Sequence, residues 1–189
     1  MANVITPEFR VSYPVVFEPK KNDLNGKMEY SVVALFKKGE NLEKLKAAAQ
    51  EACEKKWGKD QKKWPKNLRS PFRDQAEREK TNEETGLPYM PDGYEKGAIF
   101  LNLKSSSRPG VVNQQVKAFT DESEFYAGCY AFASLSCYAY DQAGNKGVAF
   151  GLQNIQKSRD GEPFGGRTKA EDDFAPVAVE GGDANSLFS

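Results

Sequence analysis

The chain has 189 residues, and its 27 basic and 27 acidic side chains give a formal net charge of zero. This length is typical of one domain with a hydrophobic core, and a mean hydropathy of −0.70 excludes the run of about 18 apolar residues that a membrane span needs. The absence of histidine excludes Ser-His-Asp catalysis and every histidine-ligated metal site, and the three cysteines, an odd number, predict a reduced intracellular protein.

The first two predicted elements are β-strands that form a hairpin. Residues 8–17 and residues 27–37 place apolar side chains at every second position, which is the period of a strand with one buried face. The connection between them contains asparagine, aspartate and glycine, which favour tight turns. Pro14 cannot donate a ladder hydrogen bond, so it predicts an edge position or a bulge.

Residues 41–57 are predicted to form an amphipathic helix, because apolar side chains recur there at helical spacing. Asn41 can cap the start of this helix and Gly58 can end it. The next stretch, residues 59–97, is polar and contains four prolines. A compact domain rarely keeps so long a connection without a use for it, and we expect a short helix near residues 73–80 within it.

Charge is concentrated in two parts of the chain. Residues 55–73 hold eight basic residues and one acid, interleaved with two tryptophans and a phenylalanine. Cations beside flat aromatic rings are typical of a surface that binds a polyanion with bases, although a solvated lysine-rich loop explains this run alone equally well. Residues 171–189 hold five acids and no base, so residues 1–170 carry a net charge of +5.

Four further strands are predicted at residues 98–104, 111–119, 129–140 and 148–155. In the strand at 129–140 the odd positions are small and apolar, whereas the even positions are aromatic or hydroxylated. Proteins that bind single strands stack bases on exposed aromatic rings, at about 1–3 kcal/mol per base. We therefore predict that Tyr130, Tyr138 and Tyr140 face the ligand. In the alternative interpretation the even positions face the core.

Together these elements predict a mainly β protein with one main helix. A five-stranded OB-like barrel with a long insertion accounts for the strand count, and an immunoglobulin-like β-sandwich is the alternative. We expect residues 1–169 to form an OB-fold DNA-binding domain. We expect residues 170–189 to form a flexible acidic C-terminal tail, because their acidic, Gly/Ala/Asn-rich composition is typical of disorder.

Two fragments resemble catalytic motifs without the context that such motifs need. Residues 161–168 differ from a phosphate-binding P-loop at its lysine, which is Arg167 here, and neither a buried strand nor an apolar helix flanks them. Asp92, Glu95 and Lys96 resemble part of a metal-dependent nuclease site, but with the wrong spacing. We therefore expect no catalytic residues, no metal and no cofactor.

Several segments in combination resemble a phage family of single-stranded-DNA-binding proteins. The similarity extends over nearly the whole chain and is carried by residues 9–14, 128–130, 145–148, 151–156, 159–161, 164–168 and 171–174. The resemblance implies an OB fold, sequence-independent binding of single-stranded DNA in phage replication or recombination in the cytoplasm of the infected bacterial host, and an acidic C-terminal tail. Two features depart from the pattern: Ser189 follows Phe188, and the helix precedes the third strand instead of following it.

We therefore predict a protein that coats and protects single-stranded DNA. Cations for the phosphates and rings for the bases give the expected DNA-binding residues: Arg10, Tyr13, Arg69, Arg73, Phe100, Lys104, Arg108, Lys117, Tyr130, Tyr138, Tyr140 and Arg167. The tail is expected to bind phage or host replication proteins and to compete with DNA, with weak duplex binding, through Glu171, Asp172, Asp173, Asp183, Leu187 and Phe188. The alternatives are a strand-annealing recombination mediator, which shares the same groove, and a metal-dependent DNA-processing enzyme.

Overall fold

The computed structural model describes residues 3–165 and 174–177. Within these residues there are ten strands, one α-helix and three short 3-10 helices. The strands are β1 (Val4–Ile5), β2 (Phe9–Lys21), β3 (Met28–Leu35), β4 (Arg73–Asp74), β5 (Lys80–Thr81), β6 (Pro88–Tyr89), β7 (Ile99–Ser105), β8 (Gly110–Val112), β9 (Tyr130–Gln142) and β10 (Asn145–Arg159). The helix α1 spans Glu43–Trp57, and the 3-10 helices span Gln61–Lys63, Gln75–Arg78 and Glu122–Glu124.

Five strands close into a barrel in the order β2, β3, β7, β10, β9 and back to β2. Every neighbouring pair in this ring is antiparallel except β7 with β10, which is parallel. One closed sheet with a parallel pair between its third and fifth strands has the topology of a five-stranded OB barrel. The prediction of an OB-like fold is therefore confirmed, and the sandwich alternative is wrong.

The barrel core is built from the strand faces that the alternation predicted, except on β2. There the register shifts after Ser12, so that Val16 is buried and Tyr13 is exposed. Ala131, Ala133 and Leu135 on β9 are buried at 2% exposure or less, as are Val11 on β2 and Leu101 on β7. Burial of a large aliphatic side chain contributes about 1.5–3 kcal/mol. The even positions of β9 therefore lie on the outer face of the barrel.

The helix α1 covers one side of this barrel, where it contacts β9 and β10. The helix begins two residues later than predicted: its N-cap is Leu42, and Asn41, one residue earlier, accepts a hydrogen bond from the Glu43 amide at its Oδ1 atom at 3.0 Å. Gly58 ends the helix as predicted, with φ of 87°. Cys53 on the helix packs near Cys137 on β9. Burial raises the pKa of the Cys137 thiol to about 11.

Residues 58–98 form the insertion between α1 and the third barrel strand, and a buried glutamine holds it in place. The Gln75 amide donates to the carbonyls of Phe36 and Ile99 at 2.9 Å, and its Oε1 atom accepts from the Glu95 amide at 2.7 Å. The short helix expected near residues 73–80 is the 3-10 turn at Gln75–Arg78. These three hydrogen bonds therefore fix the position of the Gln75 segment of the insertion against the barrel.

One predicted strand is shorter than expected. The sequence predicts a strand over residues 111–119, but β8 spans only Gly110–Val112. The side chain of Asn113 accepts hydrogen bonds from the amides of Gln115 and Lys117, which closes a turn in place of a ladder. The predicted tail, residues 170–189, lies outside the described residues except for residues 174–177. No helix in the described part of the chain is long and apolar enough to span a bilayer.

Candidate nucleic-acid interface

The outer face of the barrel carries a row of mostly small or polar residues. One row of directly paired residues crosses all five barrel strands, and it consists of Ser136, Gly151, Lys104, Ser31 and Val15. Lys104 is exposed and the rest of this row is half-buried. Neighbouring strands lie about 4.8 Å apart, so this row spans about 19 Å, which is room for several nucleotides.

A second row lies beside the first and brings one aromatic ring, that of Tyr138, to the outer face of the barrel. It begins at Tyr138 on β9, which pairs with Ala149 on β10. On the neighbouring strands, Asn102 pairs with Val33, and Val33 pairs with Ser12. We call the surface that these two rows form the floor; Lys104 is the one long side chain between its ends.

The insertion forms a wall over one end of the floor. Arg69 pairs with Gly147 on β10: its amide donates to the Lys146 carbonyl at 2.9 Å, and its carbonyl accepts from the Val148 amide at 3.2 Å. A Cβ atom on Gly147 would lie 2.6 Å from the Arg69 carbonyl oxygen, so this close crossing requires glycine. The wall and the floor enclose a cleft of about 710 Å³.

This cleft brings together five of the twelve residues predicted to bind DNA: Arg69, Arg73, Lys104, Tyr138 and Tyr140. Those residues come from three parts of the chain, the insertion, β7 and β9, and no sequence spacing relates these three parts to one another. The Tyr138 ring is 45% exposed, and partial burial raises the pKa of its hydroxyl. The phenol therefore stays neutral at physiological pH and offers a flat apolar face beside cations.

The cations of the cleft differ in how strongly they are paired. The Arg69 guanidinium is exposed and forms no ion pair within residues 3–165. The Arg73 guanidinium donates from Nε to the Glu77 carboxylate at 2.9 Å, and Nζ of Lys104 lies 3.9 Å from the Glu29 carboxylate. Hydrogen bonds from Asn22 and Asn25 lower the pKa of Glu29, so this carboxylate is charged at neutral pH.

A second cleft continues from Tyr138 toward the helix. Its volume is about 430 Å³, and it is lined by Tyr138, by Glu51, Lys55 and Lys56 on α1, and by apolar residues of α1 and β9. Lys55 pairs with Glu51 at 2.8 Å, whereas Lys56 has no ion pair among the described residues. These two lysines were not among the predicted DNA-binding residues, although they begin the basic run at 55–73 that pointed to a polyanion.

Arg10 and Tyr130 lie in a separate cleft of about 300 Å³. Arg10 donates to the carbonyls of Gly128 and Glu162, and its guanidinium lies 4.5 Å from the Phe164 ring centroid. The Arg159 guanidinium lies 3.7 Å from the ring centroid of Tyr130, where it covers a face that a base would need. The structure therefore places this pair in a clamp on the segment at 161–165, away from the Tyr138 cleft.

The structure corrects the placement of Phe100. Strand alternation put it on the outer face with Asn102 and Lys104, but its side chain is fully buried. β4 pairs with β7 at this point, and the guanidinium groups of Arg73 and Arg78 lie 5.3 and 5.0 Å from the ring centroid. The insertion covers the ring, which leaves no face of Phe100 for a base.

The remaining predicted residues lie outside the Tyr138 cleft. Tyr13 is exposed at the β2 end of the floor, and Arg108 lies 3.7 Å from the Glu122 carboxylate. Lys117 is exposed in the turn after β8. Arg167 and the predicted tail residues Glu171, Asp172, Asp173, Asp183, Leu187 and Phe188 lie outside the described residues.

Comparisons with known proteins agree with this architecture. A family model described as Enterobacter phage Enc34, ssDNA-binding protein, matches residues 2–185. Protein p50 of Acyrthosiphon pisum secondary endosymbiont phage 1 is 30% identical over 175 residues, which cover 90% of this chain and 91% of p50.

Two solved structures share the fold. The single-stranded DNA-binding protein from bacteriophage Enc34 in complex with ssDNA is 19% identical with a TM-score of 0.63, and the match covers 86% of this chain and 89% of that one. The single-stranded DNA-binding protein gp2.5 of bacteriophage T7 is 12% identical with a TM-score of 0.54, covering 94% and 99%. The family match over nearly the whole chain, supported by p50, shows that this chain belongs to the Enc34 family of phage single-stranded-DNA-binding proteins.

Proposed function

We propose that this protein binds single-stranded DNA, without sequence preference, in the cleft between the insertion and the floor. The observation that carries this proposal is the convergence of Arg69, Arg73 and Lys104 with Tyr138 and Tyr140 in one cleft. Cations neutralise phosphates and release counterions, whereas aromatic rings stack on any base. Neither interaction reads the hydrogen-bonding edges of the bases, so the site has no means of selecting a sequence.

The proposed role is to coat and protect single-stranded DNA in phage replication or recombination, in the cytoplasm of the infected host. Membership of a family of DNA-binding proteins supports a role without catalysis. We assign DNA binding to residues 1–169.

The acidic residues 171–189 are proposed to compete with DNA and to contact replication proteins. Removing residues 171–189 should raise the affinity for duplex DNA more than the affinity for single-stranded DNA at 50 mM salt, because duplex DNA offers charge but no free base faces. Equal DNA affinities of the full-length and truncated proteins would contradict this.

Fluorescence anisotropy with labelled oligonucleotides tests the main proposal. The full-length protein should bind dT16 and a mixed-sequence 16-mer with similar affinity in EDTA, because no metal is required. The slope of log K against log salt is about −0.7 per phosphate contacted on a single strand, so four to six contacts predict a slope of about −3 to −4. A flat salt response between 50 and 300 mM, or cleavage of the oligonucleotide when Mg²⁺ is added, would overturn the proposal.

A further inference from the structure

A second aromatic group lies at the opposite end of the floor from Tyr138. Tyr13 on β2 is 63% exposed. Tyr94 from the insertion is half-buried, and its hydroxyl forms a 3.0 Å hydrogen bond with the hydroxyl of Ser12. Ser12 ends the row that runs from Tyr138 across the floor, so the two aromatic groups lie at the two ends of one surface.

A cation accompanies this second group. Gln75 begins the 3-10 helix that ends at Arg78, and its Oε1 atom accepts a hydrogen bond from the amide of Glu95, the residue after Tyr94. Burial raises the pKa of the Tyr94 hydroxyl, and Arg78 opposes this rise. Arg78 is exposed, and its guanidinium rests on the ring of Phe100 at 5.0 Å. It forms no ion pair with the residues that the structure describes. Rings and an uncompensated cation are the same combination that the Tyr138 cleft contains.

The backbone of Tyr13 points to a role for its exposed ring. Its φ is 45°, a left-handed conformation that is uncommon for tyrosine. It lies where the pairing of β2 with β3 shifts register between Ser12 and Val15, which is the bulge that Pro14 predicted. Bulges turn a side chain away from the regular face of a strand, and such conformations persist only where the surrounding structure imposes them.

We propose that Tyr13, Tyr94 and Arg78 form a second base-stacking subsite, and that single-stranded DNA crosses the barrel between this subsite and Tyr138. The inference rests on the proposed function and adds the path of the DNA. Four strand spacings of about 4.8 Å separate the two subsites, so the bridging DNA has about six nucleotides at a rise of 3.4 Å, and fewer if it is stretched. An oligonucleotide must reach this length to occupy both subsites fully.

Binding of dT4, dT8 and dT12 to Tyr13→Asn and Tyr13→Phe tests this path. Asparagine tolerates positive φ, so Tyr13→Asn removes the ring without adding backbone strain, and Tyr13→Phe keeps the ring. For Tyr13→Asn we expect dT12 affinity to fall by about fivefold or more, since one lost stack changes affinity by this much. The affinity for dT4 should fall by no more than about twofold, because the Tyr138 subsite remains available. Tyr13→Phe should bind all three oligonucleotides like the wild type.

The controls separate this inference from the proposed function. Urea unfolding of each variant should give a wild-type midpoint. If the wild type does not bind dT12, the proposed function fails. If the wild type binds dT12 and Tyr138→Ala weakens that binding, the proposed function stands. In that case two results would contradict the second subsite alone: Tyr13→Asn binds dT12 like the wild type, or it loses affinity for dT4 and dT12 equally.

Discussion

At the scale of single residues, the Tyr138 cleft holds carboxylates as well as cations. Glu77 lines the cleft and accepts a hydrogen bond from Arg73, and Glu29 lies near Lys104. Each carboxylate holds a cationic side chain in place, and each must share that cation with an incoming phosphate. The bare cleft is therefore less electropositive than its count of basic residues indicates.

Replacing Glu77 by glutamine should strengthen DNA binding. The change removes a negative charge beside the phosphate path and leaves Arg73 free to pair with DNA, at a gain of about 0.2–1 kcal/mol, the size of an exposed ion pair. The measurement is dT16 affinity by anisotropy at 50 mM salt. Glu43→Gln, which removes an exposed carboxylate from the start of α1, is the matched control and should leave affinity unchanged. Weaker binding by Glu77→Gln would show that the carboxylate positions Arg73 productively.

The Cys137 thiol predicts a loss of stability at high pH. Burial raises its pKa from 9.0 to about 11, so between these values the unfolded chain loses a proton that the folded protein keeps. The stabilisation is complete below pH 9 and is lost as pH rises toward 11. Urea titrations at pH 8 and pH 10.5 measure how far the free energy of unfolding falls between these two pH values. In Cys137→Ala this fall should be smaller than in the wild type by an amount on the order of 1–2 kcal/mol. An identical decrease in both proteins would contradict this prediction.

At the scale of elements, the insertion converts the outer face of the barrel into a cleft. Its position depends on two contacts at a distance from each other: the buried amide of Gln75 and the bridge between Arg69 and Gly147. The wall carries Arg69 and Arg73 to the edge of the floor. The composition of this stretch shows that it is basic and unusually long for a connection. The position of the wall relative to the floor, however, is set by these two contacts.

Gly147→Ala should therefore weaken DNA binding through the wall. The added Cβ atom would lie 2.6 Å from the backbone oxygen of Arg69 and 2.8 Å from the Tyr140 hydroxyl. The Arg69 backbone must therefore shift away from β10, whereas the flexible end of the Tyr140 side chain must shift within the cleft. We expect an affinity loss of about fivefold to tenfold for dT16, equivalent to about 1–1.4 kcal/mol, with the barrel still folded by circular dichroism. In the control Gly110→Ala, the added atom meets only the side chain of Asn154, and binding should not change.

The elements that the sequence predicted well are those with local signals. The alternation on β9, the hairpin of β2 and β3 and the end of α1 at Gly58 all depend on neighbours within a few residues, and the structure contains each of them. Phe100 was misplaced because its cover, β4, comes from a different part of the chain. For the same reason alternation alone could not show that Arg159 occupies a face of Tyr130.

At the scale of the whole molecule, closure of the barrel assembles the site. The β9 strand pairs with both β2 and β10, which brings residues near position 13 and residues near position 138 to two ends of one surface. The family resemblance predicted this barrel, but it did not predict which of the three tyrosines of β9 share a cleft. Much of the similar sequence has a structural role: Gly128 packs against the backbone of Glu162, and Phe164 packs over Gly93.

The most direct test of this account is the dT16 affinity of the double variant Tyr138→Ala, Tyr140→Ala, measured by anisotropy in EDTA at 100 mM salt. Each lost stack should cost about 1–3 kcal/mol, so affinity should fall at least about thirtyfold while the circular dichroism spectrum stays that of the wild type. Tyr89→Ala, which removes an exposed ring from β6, should bind normally. Wild-type affinity of a folded double variant would show that DNA does not lie in the Tyr138 cleft.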